Sequence, residues 1–463
     1  MENFWDSSTW QSFHLIAALL LAMLAANALK QLIPLLRRSL VPTSVLGGLL
    51  LLITSFVFQK TTGQVMFNIP FFGGNGISTL EILTYHSLAL GFIATGLKTS
   101  DRKLTPLRRW EIFNTGLTTV STYLVQGIVG MVITIVAAMI IKDFFPAAGI
   151  LLPFGYGQGT GQALNYGGIF EADFGFDGGK SFGLTIAAMG FLSASIFGVI
   201  HLNILKVKGR TIGDGEEGAG VMNEKVEDDN EIPMGGSMDK LTVQITLIAI
   251  AYMLTNFVMW GLGNLLPGMI SVIYGFNFLL GVLSATLVKV SLQMLKKVGL
   301  VKRQYTNNFL LTRIGNFFFD IMVVAGIAAI RLDVLESYWG IMLVLGLAGA
   351  AATYFYLRFV CRILFRRYFE EQFLGMFGML TGTASTGIIL LREIDMDFRT
   401  PVADNMVYQN FPAIVFGFPM MLIVTMAPVA PLKTLLILAV FLLGMQILLF
   451  RTKIFRRKRR KKA

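Results

Sequence analysis

Cysteine is almost missing: Cys361 is the only one in 463 residues. One thiol excludes an internal disulfide and a thiolate metal cluster. Charge is scarce as well. Asp, Glu, Lys and Arg make up 14% of the chain, against roughly 25% in a soluble globular domain. No metal-ligand spacing, nucleophile elbow or phosphate-binding lysine after a glycine loop occurs, so enzyme chemistry and a bound cofactor are not expected. The opening MENFWDSSTW has no basic n-region, and no small-residue cleavage site follows it. The first apolar run is therefore read as a retained span and not as a signal peptide.

What is present is hydrocarbon. Apolar residues make up 54% of the chain, and mean hydropathy is +0.67. Runs of about 18–25 apolar residues recur from end to end, which indicates a polytopic helical membrane protein. The short alternating segments of a membrane β-barrel are absent. The net charge of +12 gathers in short loops and in the tail RTKIFRRKRRKKA. Lipid headgroups and topology account for it there, so nucleic acid is not expected as a partner.

Crossings are read at 12–33, 43–59, 81–97, 111–141 and 182–205, then at 241–262, 270–290, 308–330, 338–360, 402–427 and 432–450. Basic loops follow at Arg37/Arg38, Lys98–Arg109, Lys206–Arg210, Lys296–Arg303, Arg358–Arg367 and the tail. All fall on one side if the N-terminus is outside and the C-terminus cytoplasmic. That solution requires two further apolar stretches, 147–170 and 371–395, not to cross. Each has short arms around a polar, glycine-rich tip: GYGQGTGQALNYGG at 155–168 and LTGTASTG at 380–387. An arm of about 8–10 residues rises roughly 12–15 Å, half of the hydrocarbon core. Both are read as re-entrant hairpins, with Pro153 expected to help stop the first arm near its tip.

Residues 206–239 form a charged, glycine-rich cytoplasmic linker. It separates a first repeat, 1–205, from a second, 240–428; residues 429–463 add an eleventh span and a basic cytoplasmic tail. Each half holds five crossings with a hairpin before its fifth. An odd number inverts the second half relative to the first. The expected fold is an all-α polytopic membrane protein of two inverted five-helix repeats, each with a re-entrant hairpin, plus an extra C-terminal transmembrane helix. The expected location is the inner (plasma) membrane.

A helix broken at mid-membrane sets free carbonyls beside free N–H groups. Carbonyl and hydroxyl oxygens suit Na⁺, and free amides suit a carboxylate. Substrate contacts are expected from Gln158, Gly159, Thr160, Gly161, Gln162 and Asn165 at the first tip. At the second they are expected from Gly382, Thr383, Ser385 and Thr386. Arg392, two turns further on, either holds a substrate carboxylate or pairs with Glu393 or Asp395. Cation ligands are expected from Thr160, Thr381 and Ser385. Asp320, deep in the eighth span, either joins them or pairs with Arg313. His86 is read first as a satisfied helix residue. Asn405 and Gln409 share a helical face and could close the site from one side.

PTSVLGGLL (42–50), FIATGLK (92–98), GQGTGQA (157–163) and GMFGMLTGTASTG (375–387) resemble, in this order, the bacterial sodium/glutamate symporter family over residues 12–428. The resemblance implies a homodimer, Na⁺-coupled symport of glutamate or a similar small acidic amino acid, and elevator-like movement of a transport domain against a scaffold. It carries over Gly157, Gly159, Thr160, Gly161, Gly378, Gly382 and Thr386. The chain departs from the family where Gln158 replaces a His and Gln162 a small residue, in the run LLREID, and in the eleventh span. The alternatives are a cation channel, for which FGYGQG is the motif, and a proton-coupled carrier of another dicarboxylate or amino acid.

Overall fold

The computed structural model describes residues 5, 7–99, 105–207, 231–234, 238–336, 338–395 and 399–454. The first half holds α1 (Ser7–Leu32), α2 (Pro34–Arg38), α3 (Thr43–Thr62), α4 (Gly76–Leu97), α5 (Pro106–Ile140), α6 (Leu151–Phe174) and α7 (Gly179–Val207). The second holds α8 (Lys240–Leu265), α9 (Ile270–Gly275), α10 (Asn277–Lys297), α11 (Asn308–Ala328) and α12 (Trp339–Leu364). It continues with α13 (Phe369–Thr381), α14 (Ala384–Arg392), α15 (Val402–Tyr408), α16 (Asn410–Val424) and α17 (Pro431–Leu449). Among the described residues no β-strand occurs, and ten helices are long and apolar enough to cross a membrane. Most of the 206–239 linker and the end of the basic tail lie outside the described residues.

These helices bury one stripe and leave the rest apolar and exposed, the pattern of a helix among lipids. In α1, Leu15, Leu19, Ala22 and Ala26 are buried while Leu20, Leu21 and Leu24 are exposed. The buried stripe faces α3, where a Cβ on Gly47 would lie 3.1 Å from the Met23 backbone nitrogen. A Cβ on its neighbour Gly48 would meet Ile327 of α11 at 2.7 Å. The paired glycines of VLGG thus let one helix sit tightly against two others.

Packing sorts the helices into two groups. The first is α1, α3, α4, α8, α10 and α11; the second is α5, α6, α7 and α12–α17. Each half sends its first three long helices to the first group. Its next long helix, a broken element and the element after that go to the second. The groups meet mainly where α6 lies against α4 and α11.

The stretch expected to cross at 402–427 is long and apolar enough to do so, as two helices bent at Gln409. Axes of α15 and α16 differ by 47°. Pro412 sits at the third position of α16; it has no N–H and its ring crowds the carbonyl four residues back, which is that of Tyr408 at the end of α15. The span expected at 270–290 starts later as a long helix, at Asn277, after the short α9.

Candidate functional site

The first polar stretch breaks at Gly159, with φ 79° and ψ −170°. Only glycine occupies that region readily. The chain turns back there. The Phe154 ring stacks on Tyr166 with centroids 4.1 Å apart, and Phe145 meets Phe170 at 5.6 Å. In an unbroken helix a separation of twelve residues would be about 18 Å. Pro153 does not stop the first arm. It sits in the first turn of α6, where a helix needs no N–H from it.

The second stretch breaks between α13 and α14. Thr383 is extended, and its Oγ1 accepts from the Thr386 backbone N at 3.2 Å, capping α14. The two arms touch backbone to backbone: a Cβ on Gly378 would lie 2.7 Å from the Gly387 Cα.

Both breaks come to the middle of α7. A Cβ on Gly190 would meet the Thr381 carbonyl oxygen at 2.5 Å and Tyr156 at 3.1 Å, and Ala194, one turn on, lies beside Gly382. Tyr156 donates its hydroxyl to the Gly346 carbonyl at 2.6 Å and lies 3.1 Å from Ser193 Oγ. Two side chains of α5 hold the ends of the first arms. Tyr123 OH donates to the Gly157 carbonyl at 3.0 Å, and Gln126 Nε2 donates to the Leu380 carbonyl at 2.9 Å. These are carbonyls that a helix end leaves without an intrahelical partner. Tyr123, Gln126 and Gly190 are absent from the sequence-based expectation. The polar run TTVSTYLVQG inside an otherwise apolar α5 was the available signal.

The expected contact residues fall in different surroundings. Gly159, Thr160, Gly161 and Gln162 are buried, and Gln158 and Asn165 are half-buried. Thr160 donates to the Met322 carbonyl of α11 at 3.1 Å, and Asn165 donates to the Gly275 carbonyl at 3.3 Å. Gly161 packs on Leu88 of α4. Gln162 is 1% exposed, and neither atom of its amide has a hydrogen-bond partner. On the other tip Thr381 donates to the Phe377 carbonyl at 2.7 Å, Gly382 and Thr386 are buried, and Thr383 is half-buried. Ser385 and Arg392 are exposed. Asp320 is also exposed on α11, with Ser44 of α3 in hydrogen-bond reach. The first tip is thus pressed against α4 and α11, whereas Ala384 and Ser385 lie open.

The residues beside the tips have these neighbours. His86 Nδ1 is 2.6 Å from Tyr252 OH. The Arg313 guanidinium lies over the Phe309 ring, 5.0 Å from its centroid. Asn405 donates to the Gln372 side chain at 3.3 Å, and Gln409 donates to Asn410 Oδ1 at 3.0 Å. Glu371, at the start of α13, has its carboxyl pushed up by burial and, further, by the neighbouring Asp395 and Glu370 carboxylates. Among the described residues no group of three His, Cys, Asp or Glu could hold a metal ion. The donors present are neutral: carbonyls, hydroxyls and carboxamides, with helix N–H groups on the second arms. Such a set can take a hard monovalent cation and a carboxylate without a fixed counter-charge. No protein-family model and no curated protein matches this chain.

Proposed function

We propose that this protein is a secondary active transporter that couples Na⁺ to the movement of glutamate or a similar small acidic amino acid across the plasma membrane. The observation that carries this reading is the meeting of two broken helices, one from each half, at the middle of α7 and α5. In carriers built from inverted repeats, substrate and ion sit where such half-helices end. In this reading the α6 and α13–α14 hairpins are re-entrant, the halves are inverted, and the N-terminus is outside. Elevator movement is supported by the sorting of the helices, since α5–α7 and α12–α17 form one group that could slide past the other. The family resemblance supplies glutamate, Na⁺ and a homodimer.

The test is counterflow in proteoliposomes with labelled glutamate, aspartate, glutamine and dicarboxylates, with and without an inward Na⁺ gradient. Saturable uptake with exchange, dependent on Na⁺ and indifferent to collapse of a pH gradient, is expected. Conductance without counterflow would make the protein a channel. Uptake that follows a proton gradient without Na⁺ would overturn the coupling.

A further inference from the structure

The amide of Gln126 has an arrangement that a bracing role leaves incomplete. Its Nε2 donates to two acceptors, Thr353 Oγ1 at 2.8 Å and the Leu380 carbonyl at 2.9 Å. The assignment of nitrogen and oxygen is forced. Leu380 offers only a carbonyl, and the Thr353 hydroxyl already donates to the Gly349 carbonyl at 2.7 Å. Both amide hydrogens are therefore used. The oxygen, Oε1, has no partner, and the residue is 0% exposed. A buried acceptor left alone costs about 1–3 kcal/mol, and leucine would fill the space without that cost.

The surroundings suit a cation. Leu380 and Thr381 end α13, where carbonyls lack helical partners and the helix dipole is negative. A carbonyl has two lone pairs, so the Leu380 oxygen keeps one after accepting from Gln126. The Thr353 oxygen lies against the same amide. Three elements, α5, α12 and α13, thus meet at this one amide beside the second tip, with its oxygen left over.

The geometry points to Gln126 Oε1 as a ligand of the transported Na⁺, beside the carbonyl end of α13. This site rests on the reading of the protein as a Na⁺-coupled carrier. It adds an ion contact on α5 to the two tips. It also makes the amide a link: the ion is bound by the residue that holds the end of α13, so ion occupancy and the position of the second tip are tied together.

The test uses purified full-length protein in detergent. Its melting temperature is followed against NaCl, with choline chloride keeping ionic strength constant and KCl as the competitor cation. A ligand that binds the folded state raises the melting temperature as its concentration passes the dissociation constant. Wild type is expected to be stabilised by Na⁺ and not by choline. Gln126→Leu removes the oxygen and both donors, and should raise the Na⁺ midpoint at least tenfold. Gln126→Glu keeps an oxygen but loses the donors, and should hold the midpoint at or below that of wild type. If Gln126→Leu leaves the midpoint within twofold, or shifts it no more than Gln126→Glu does, the amide only braces α13 and the site is wrong, while Na⁺ coupling stands. If Gln126→Leu does not fold, a Gln126→Glu midpoint raised tenfold overturns the site by itself. If wild type gains nothing from Na⁺, the site and the Na⁺ coupling fall together.

Discussion

Replacing Gly159 by alanine separates two physical effects, because one of them is absent. A Cβ at this position has room: its nearest neighbours would be Met322 Cε at 3.7 Å and Phe191 Cζ at 3.9 Å. These are ordinary contacts, so no clash contributes. What remains is the backbone. With φ 79° and ψ −170°, an L-residue is held in a region that costs about 1–3 kcal/mol. That amounts to a loss of roughly 5- to 150-fold in the population of the bent tip. A glycine inside a regular helix gives the opposite sign, since alanine there is favoured by about 0.8–1.0 kcal/mol. The assay is thermal unfolding of the purified variant, paired with uptake in proteoliposomes. Gly159→Ala should melt below wild type and lose most uptake, yet remain monodisperse. A melting temperature above wild type would mean that residue 159 is helical, and the turn at this tip would not exist.

Gly378→Val drives a branched side chain into Gly387, where a Cβ alone would already lie 2.7 Å from its Cα; uptake should be abolished with the protein still in the membrane, and normal uptake would remove the second tip from the site. The 2.8 Å ion pair between Lys180 of α7 and Glu81 of α4 joins the two helix groups. In a Cys361→Ala background, cysteines at 81 and 180 should be joined by a short bis-methanethiosulfonate reagent that spans the length of the lost side chains, blocking uptake until reduced; uptake unaffected by complete cross-linking would show that α7 does not move past α4. Glu371 has its carboxyl raised above the usual 4.5, so its folded form resists ionisation, and stability falls as pH rises above that value. Glu371→Gln should therefore gain in melting temperature over wild type at pH 7 and gain less at pH 4.5; an equal difference at both would remove the burial argument.

Much of this protein was written locally. Each long span follows from an apolar run set against a membrane, so α1, α3, α4, α5, α7, α8, α11, α12 and α17 lie close to where the sequence puts them. Both breaks were legible too, at Gly159 and beside Gly382, because glycine and hydroxyl residues weaken a helix wherever they cluster. Their surroundings were not legible. Tyr123 and Gln126 lie 34 and 254 residues from the carbonyls they hold, and nothing in a local pattern says which polar side chain will reach a distant helix end. Pro153 was misread for the same reason. Proline breaks a helix interior but suits a first turn, and only the folded chain decides that α6 begins at Leu151. The bend at Gln409 likewise needed the three-dimensional chain, since Pro412 alone does not show whether a helix kinks or stops. Composition and periodicity determined where the helices are; long-range contacts decided which of them hold the two tips together.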